Sequence, residues 1–372
     1  LIGGNNQDVL IGNEVSNRID GSFGGDRIFG RAGNDFLIGG AGFDFLEGEL
    51  GDDNLRGGDD TDRLDGGDGG DFLAGDKGAD TMIGGNGNDQ FQWVDGDGSD
   101  LIQGGSGNDD LLFFGSIAQG DNIELAQSGS DIVLRRTNLI PITLTTTDIE
   151  TFSGINGGGG DDVLTLSNLP LASRVQFIQF QGEDGNDRLN TSNVSVNIDA
   201  GGGNGNDVLN GGTGNDNFSG NAGNDNLLGN SGNDTLRGAE IGGGQNEIDV
   251  LTGGAGRDTF MLGQLGQTSY DDGNNVLDKF EDFFNGNIGI DGLSDFARII
   301  DFKVGEDLIQ LGGSRSSYEL RSVPNSLQGG GAAQDMGIFK KTGSLHPLEL
   351  IAIVQDAPFG LDINNATQFK FS

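Results

Sequence analysis

Cysteine is absent from the chain of 372 residues, histidine occurs once and proline five times. Without cysteine there is no disulfide scaffold, no thiolate-ligated zinc or iron–sulfur site and no thiol nucleophile; such usage fits a secreted bacterial chain that relies on metal instead. Scarce proline and the lack of a G-X-Y period exclude collagen and proline-rich linkers. No run of about 18 apolar residues exists to span a bilayer, and the N-terminus lacks the charged, apolar, small-residue order of a signal peptide, so no transmembrane segment is expected. Leu1 in place of Met points to a processed or truncated start. Positive charge is also scarce: 20 Lys and Arg face 58 Asp and Glu, a net charge of -38. Acidity of that size repels nucleic acid and anionic lipid, so neither is an expected partner without a bridging cation such as calcium.

What the chain has in abundance is glycine, 72 residues, and aspartate, 46 against 12 glutamates. Disordered acidic tails favour Glu, Lys, Ser and Pro, whereas Asp with Gly means turns or metal. Self-comparison reveals a period of nine. From Gly3 the blocks GGNNQDVLI, GNEVSNRID, GSFGGDRIF, GRAGNDFLI, GGAGFDFLE, GELGDDNLR, GGDDTDRLD, GGDGGDFLA, GDKGADTMI and GGNGNDQFQ run without a gap to Gln92. The register slips by two residues, Trp93 and Val94, before DGDGSDLIQ and GGSGNDDLL complete twelve copies. Position eight is apolar throughout, from Leu10 and Ile19 to Ile102 and Leu111, as expected of one inward-facing side chain per repeat. Position six is Asp8, Asp26, Asp35, Asp44, Asp53, Asp62, Asp71, Asp80, Asp89, Asp100 and Asp109, with Asn17 as the exception that keeps an oxygen and loses the charge.

Over 113–156 the nonapeptide gives way to β-branched alternation, read as strands. Isolated copies return at Gly157 and Gly182, and a second array runs from Gly202 to Met261 around an insertion at 238–243. Their sixth positions are Asp162, Asp187, Asp207, Asp216, Asp225, Asp234, Asp249 and Asp258. Beyond Met261 glycine thins and apolar residues rise, which predicts mostly strands with one short helix near Asp278. The expected domains are therefore a first array over 1–112, a β insertion over 113–156, a second array over 157–261 and a C-terminal β-rich cap and secretion module over 262–372.

In GGxGxDxUx, with U apolar, the first six residues suit a turn and the last three a short strand whose middle side chain points inward. Glycine lets carbonyls turn towards a common centre, and Asp supplies the hard anionic oxygen that calcium prefers. Two repeats make one coil, so Asp26, Asp44, Asp62, Asp80 and Asp100 fall on one edge and Asp35, Asp53, Asp71, Asp89 and Asp109 on the other. Coils stack about 4.8 Å apart. Bare carboxylates at that spacing repel, and a divalent ion between them turns repulsion into bridging. One apolar side chain per nine residues is too little burial to offset the chain entropy lost on ordering, so folding is expected to be coupled to calcium. Magnesium dehydrates too reluctantly for a cage of this kind. Asp335, outside the repeats, serves as an exposed comparison.

The blocks GGAGNDxL and GGxGxDxUx resemble the RTX, or hemolysin-type calcium-binding, repeats of bacterial secreted proteins. The resemblance implies an all-β fold, a parallel β-roll solenoid in which these aspartates and backbone carbonyls hold multiple calcium ions, and export by a type I system. DVLTGGAGRDTF, YDDG from Tyr270, IIDFKVGEDLIQLGGS and ELIAIVQ are similar to the C-terminal module of cyanobacterial RTX proteins. No catalytic motif accompanies the repeats: there is no HExxH, His346 is the single histidine, and GxSxG and GxxxxGK[ST] are missing, so no enzyme is expected. Asp52 with Asp53, Asp59 with Asp60 and Asp161 with Asp162 read as repeat surface rather than acid/base pairs. The expected role is a secreted, extracellular or cell-surface calcium-binding structural protein, part of a surface layer, sheath or filament. The alternative is the calcium-triggered secretion and folding module of a larger toxin, adhesin or hydrolase. Leu1 and Ile2 occupy positions eight and nine of a repeat, so self-association through that solenoid end is expected, and a cell-surface glycan is a further candidate partner.

Overall fold

The computed structural model describes residues 1–169, 174–239, 247–264, 267–268, 296–323, 335–341, 349–357 and 360–372. The chain divides into two compact units, Leu1–Gln181 and Gly182–Ser372. Among the described residues regular structure is β-strand, apart from a 3-10 turn at Arg315–Ser317. No helix among them is long and apolar enough to cross a membrane, which says nothing of a β-barrel.

In the first unit successive strands alternate between two parallel sheets. One sheet holds Arg18–Phe23, Phe36–Ala41, Asn54–Asp59, Phe72–Lys77, Gln90–Val94 and Asp110–Phe114. The other holds Val9–Ile11, Arg27–Ala32, Phe45–Leu50, Arg63–Asp68, Thr81–Asn86 and Leu101–Ser106. Leu37 pairs with Leu55 and Leu46 with Leu64, each 18 residues on, so two repeats make one coil. This is the β-roll that the period predicts. The position-eight side chains from Ile19 to Leu111 are fully buried between the sheets, whereas Leu10 is only half-buried.

The strands are longer than three residues. Arg27–Ala32, for example, covers the last three positions of one repeat and the first three of the next. The position-one glycine faces inward beside the apolar side chain, and the position-two glycine joins the ladder, as where Gly40 pairs with Gly58. That leaves positions four to six for the turn. At the two-residue slip, Trp93 takes the place of the inward glycine. It is fully buried, stacks on Phe113 with centroids 4.5 Å apart, and donates its indole N–H to the Gly98 carbonyl at 2.9 Å.

The alternating segment forms strands Asn122–Ser128, Asp131–Arg136 and Ile142–Thr147. Leu101–Ser106 pairs in parallel with Ile142–Thr147, which is antiparallel to Asp131–Arg136, which is antiparallel to Asn122–Ser128. Parallel pairing then resumes from Asn122–Ser128 to Val163–Leu169. The opposite sheet passes directly from Asp110–Phe114 to Thr151–Asn156. One sheet thus gains two strands that the other lacks.

The second unit repeats the alternation. Asn197–Asn204, Asn217–Ala222, Thr235–Ala239, Thr259–Met261, Leu308–Leu311 and Phe369–Phe371 form one parallel ladder. Arg188–Val194, Val208–Asn210, Asn226–Ser231, Ile248–Ala255, Phe296–Ile299 and Glu349–Val354 form the other. Tyr318–Ser322 and Met336–Lys340 add an antiparallel pair beside Glu349–Val354. The helix expected near Asp278, the YDDG segment and His346 lie outside the described residues.

Candidate metal centre

Each turn ends on the position-six aspartate, and the coil spacing stacks these residues into ladders. The amide of Asp8 donates to Asp26 Oδ1 at 2.8 Å, Asp26 to Asp44 at 2.6 Å, Asp44 to Asp62 at 2.7 Å, Asp62 to Asp80 at 2.7 Å and Asp80 to Asp100 at 2.8 Å. On the other edge Asn17 donates to Asp35 at 2.6 Å, and the series continues through Asp53, Asp71 and Asp89 to Asp109. In the second unit one ladder joins Asp187, Asp207, Asp225 and Asp249, and the other joins Asp216, Asp234 and Asp258. Asp162 accepts from the Asp121 amide at 2.5 Å. Every position-six aspartate named from the sequence therefore stands in a ladder.

One carboxylate oxygen is used by the ladder; the other is buried beside the backbone. The Oδ2 atoms of Asp26, Asp44, Asp62 and Asp80, and of Asp35, Asp53, Asp71 and Asp89, are buried with no hydrogen-bond partner among the described residues. A buried anionic oxygen left this way is costly, which makes it a ready ligand for a cation. The position-one glycine explains how it is housed. A Cβ on Gly57 would lie 2.5 Å from Asp62 Oδ2 and 2.6 Å from the Gly75 carbonyl oxygen of the next coil, so carboxylate and carbonyl occupy the space a side chain would fill. At position four Gly42 has φ 122° and its Cβ would meet the Gly24 carbonyl at 2.1 Å, so both conformation and space demand glycine there. Among the described residues no three His, Cys, Asp or Glu side chains converge. A cation here must take its remaining ligands from carbonyls, an all-oxygen set that suits calcium.

The electrostatics agree. From the usual 3.8, burial pushes the carboxyls of Asp62 and Asp225 up to about 8 and those of Asp71, Asp80, Asp100 and Asp234 up to about 7. The Asp44 amide opposes the shift at Asp62, and the carboxylates of Asp44 and Asp80 add to it. Because these groups hold protons more tightly folded than unfolded, the metal-free fold binds more protons between about pH 4 and 8 and loses stability as pH rises through that window. In chelator, the β signal in circular dichroism should be stronger at pH 5 than at pH 8. In calcium, the titration midpoint should rise as pH falls below 8, since protons compete for the same oxygens. A midpoint independent of pH from 5 to 8 would contradict both.

Several carboxylates outside the repeats join the ladders. Asp109 donates to Glu150 Oε2 at 3.1 Å, and Asp258 donates to Asp307 Oδ1 at 3.0 Å. Asp307 carries a readable signal, since Gly305, Glu306, Asp307, Leu308 and Ile309 reproduce positions four to eight of the repeat. Glu150 and Asp121 keep only an acid followed two residues later by a buried apolar residue, Phe152 and Ile123. Asp335 is not the exposed residue expected: it is 1 % exposed and its Oδ1 accepts from the Asp356 amide at 2.7 Å, because the strands that follow fold the chain over it. In the acidic pairs, Asp53 and Asp162 are buried in ladders while Asp52 and Asp161 are exposed, and Asp59 and Asp60 are both exposed.

A family model of the RTX calcium-binding nonapeptide repeat, four copies long, matches residues 2–37, 11–46, 29–64, 38–73, 56–91, 94–112, 201–236 and 243–264. Comparison with curated proteins gives no significant match. The matched stretches hold all the position-six aspartates except Asp162 and Asp187, which stand in the ladders outside them. Over these stretches the chain thus carries RTX calcium-binding nonapeptide repeats, which bind multiple calcium ions.

Proposed function

We propose that this is a calcium-binding structural protein of the cell exterior, which folds on calcium after export and forms part of a surface layer, sheath or filament by self-association through a solenoid end. It performs no catalysis of its own. The observation that carries this reading is the pair of buried aspartate ladders, in which Oδ2 of Asp26, Asp44 and Asp62 on one edge and of Asp35, Asp53 and Asp71 on the other lies buried beside a backbone carbonyl of the next coil. In a low-calcium cytosol the chain stays unfolded and exportable; outside, where modules of this class bind at about 0.1 to 1 mM, it hardens. The typical secretion of RTX-repeat proteins supports the location. The position-six aspartates, joined by Glu150 and Asp307, hold the ions. Fractionation of the source cells tests the reading. The protein should be recovered from the surface and released by chelator, and recovery from the cytoplasm would sink it. Release as part of a longer polypeptide with an upstream catalytic domain would favour the secretion-module alternative.

Asp62 is shared by the rungs to Asp44 and Asp80. Asp62→Ala should raise the calcium midpoint about tenfold, equivalent to about 1.4 kcal/mol, and reduce cooperativity. Glu14, exposed and outside the ladders, provides the comparison: Glu14→Ala should leave the titration unchanged. Identical curves from the two variants would show that position six does not hold the ion.

A further inference from the structure

The two extra strands open one edge of the first unit between Asp100 and Asp121, and the gap contains a cation belonging to the chain itself. Elsewhere on that edge consecutive aspartates are one strand apart. Here Ile142–Thr147 and Asp131–Arg136 intervene, which sets Asp100 and Asp121 three strand spacings apart, roughly 14 Å. No single calcium, with oxygens at about 2.3 to 2.6 Å, spans that distance. Arg136, the last residue of its strand, has a side chain 1 % exposed. Its Nη1 is 2.5 Å from Asp95 Oδ1 and 3.5 Å from Asp121 Oδ1, its Nε donates to the Ile140 carbonyl at 3.1 Å, and its guanidinium lies 5.1 Å from the centre of the Trp93 ring.

Asp121 is otherwise constructed as a ladder rung. Its amide donates to Asp162 Oδ1 at 2.5 Å, and a Cβ on Gly115 would lie 2.4 Å from its Oδ2, as at Gly57 and Asp62, but here Oδ2 accepts from the Ser116 amide at 2.6 Å and Oδ1 is left for the guanidinium. At this rung the oxygen that elsewhere accepts the preceding rung's amide faces a guanidinium instead. We propose that Arg136 stands in for a calcium ion at this break, so that the inserted strands hold their fold without calcium while the flanking repeats require it. Other departures from the repeat also carry a basic side chain. Lys303 Nζ donates to the Gly254 carbonyl beside the Asp307 rung, and Arg174 pairs with Asp148 and lies 3.8 Å from Glu150.

The inference rests on the calcium reading of the arrays, and one experiment separates the two. Hydrogen exchange with mass spectrometry on the full chain, in chelator and in millimolar calcium, reports peptides from Arg27–Leu73 and from Asn122–Thr147 independently. In chelator the inserted strands should exchange at least about tenfold more slowly than the array. Arg136→Gln should make their protection calcium-dependent, lost in chelator and present in calcium, whereas Arg136→Lys should keep much of it in chelator because the charge remains. Loss of array protection in chelator supports the calcium reading whatever the insertion does. Three results overturn the role of Arg136: wild-type inserted strands unprotected in chelator, an Arg136→Gln variant still protected there, or one unprotected in both conditions, which would make Arg136 a packing residue only.

Discussion

Removal of calcium at pH 8 should abolish most of the β signal of this chain, and return of millimolar calcium should restore it. The expected loss is large because the fold concentrates negative charge where water does not reach. Asp44, Asp62 and Asp80 on one edge are each 2 % exposed or less, one strand spacing apart, with a net charge of -38 on the whole chain. A cation between rungs supplies both the missing ligand for Oδ2 and the opposite charge. Without it, each rung must take up a proton or separate from its neighbour. At pH 8 most of these carboxyls no longer hold their protons, so separation is the outcome. Circular dichroism in chelator and in calcium measures this directly, and a metal-free chain with an undiminished β spectrum at pH 8 would falsify calcium-coupled folding.

Gly57→Val should be strongly damaging to the first array. The side chain would enter the space that holds Asp62 Oδ2 and the Gly75 carbonyl, at 2.5 and 2.6 Å from its Cβ. Neither oxygen is the far end of a flexible chain: the carbonyl belongs to a paired strand, and the carboxylate is fixed by the Asp44 amide at 2.7 Å. Overpacking of a rigid interior costs about 1 to 3 kcal/mol where neighbours can shift, and here the shift also breaks the rung, so the cost should lie at or above the upper figure. Gly4→Ala is the matched control, since its Cβ would find only Asp8 Oδ2 at 3.8 Å. Thermal melts in calcium should show a fall of several degrees or more for Gly57→Val and almost none for Gly4→Ala. Equal melting temperatures would mean that the position-one cradle is looser than its geometry.

The local period was sufficient to establish the coil. A nine-residue repeat with one apolar position and one aspartate determines that position eight turns inward, that two repeats close a turn of the roll, and that Asp26, Asp44 and Asp62 share an edge, because each relation spans 18 residues or fewer and recurs along the array. Even the slip at Trp93 and Val94 was readable, as the 20-residue step from Asp80 to Asp100 confirms. Tertiary structure decided what happens where the period stops. Asp109 meets Glu150 across 41 residues and Asp258 meets Asp307 across 49, separations set by the strands between them and not by any repeat. The burial of Asp335 and the placing of Arg136 against Asp95 and Asp121 have the same origin. Antiparallel strands inserted into a parallel sheet fix which edge opens and which side chain fills it. That depends on sheet register, a non-local quantity that spacing along the chain does not encode.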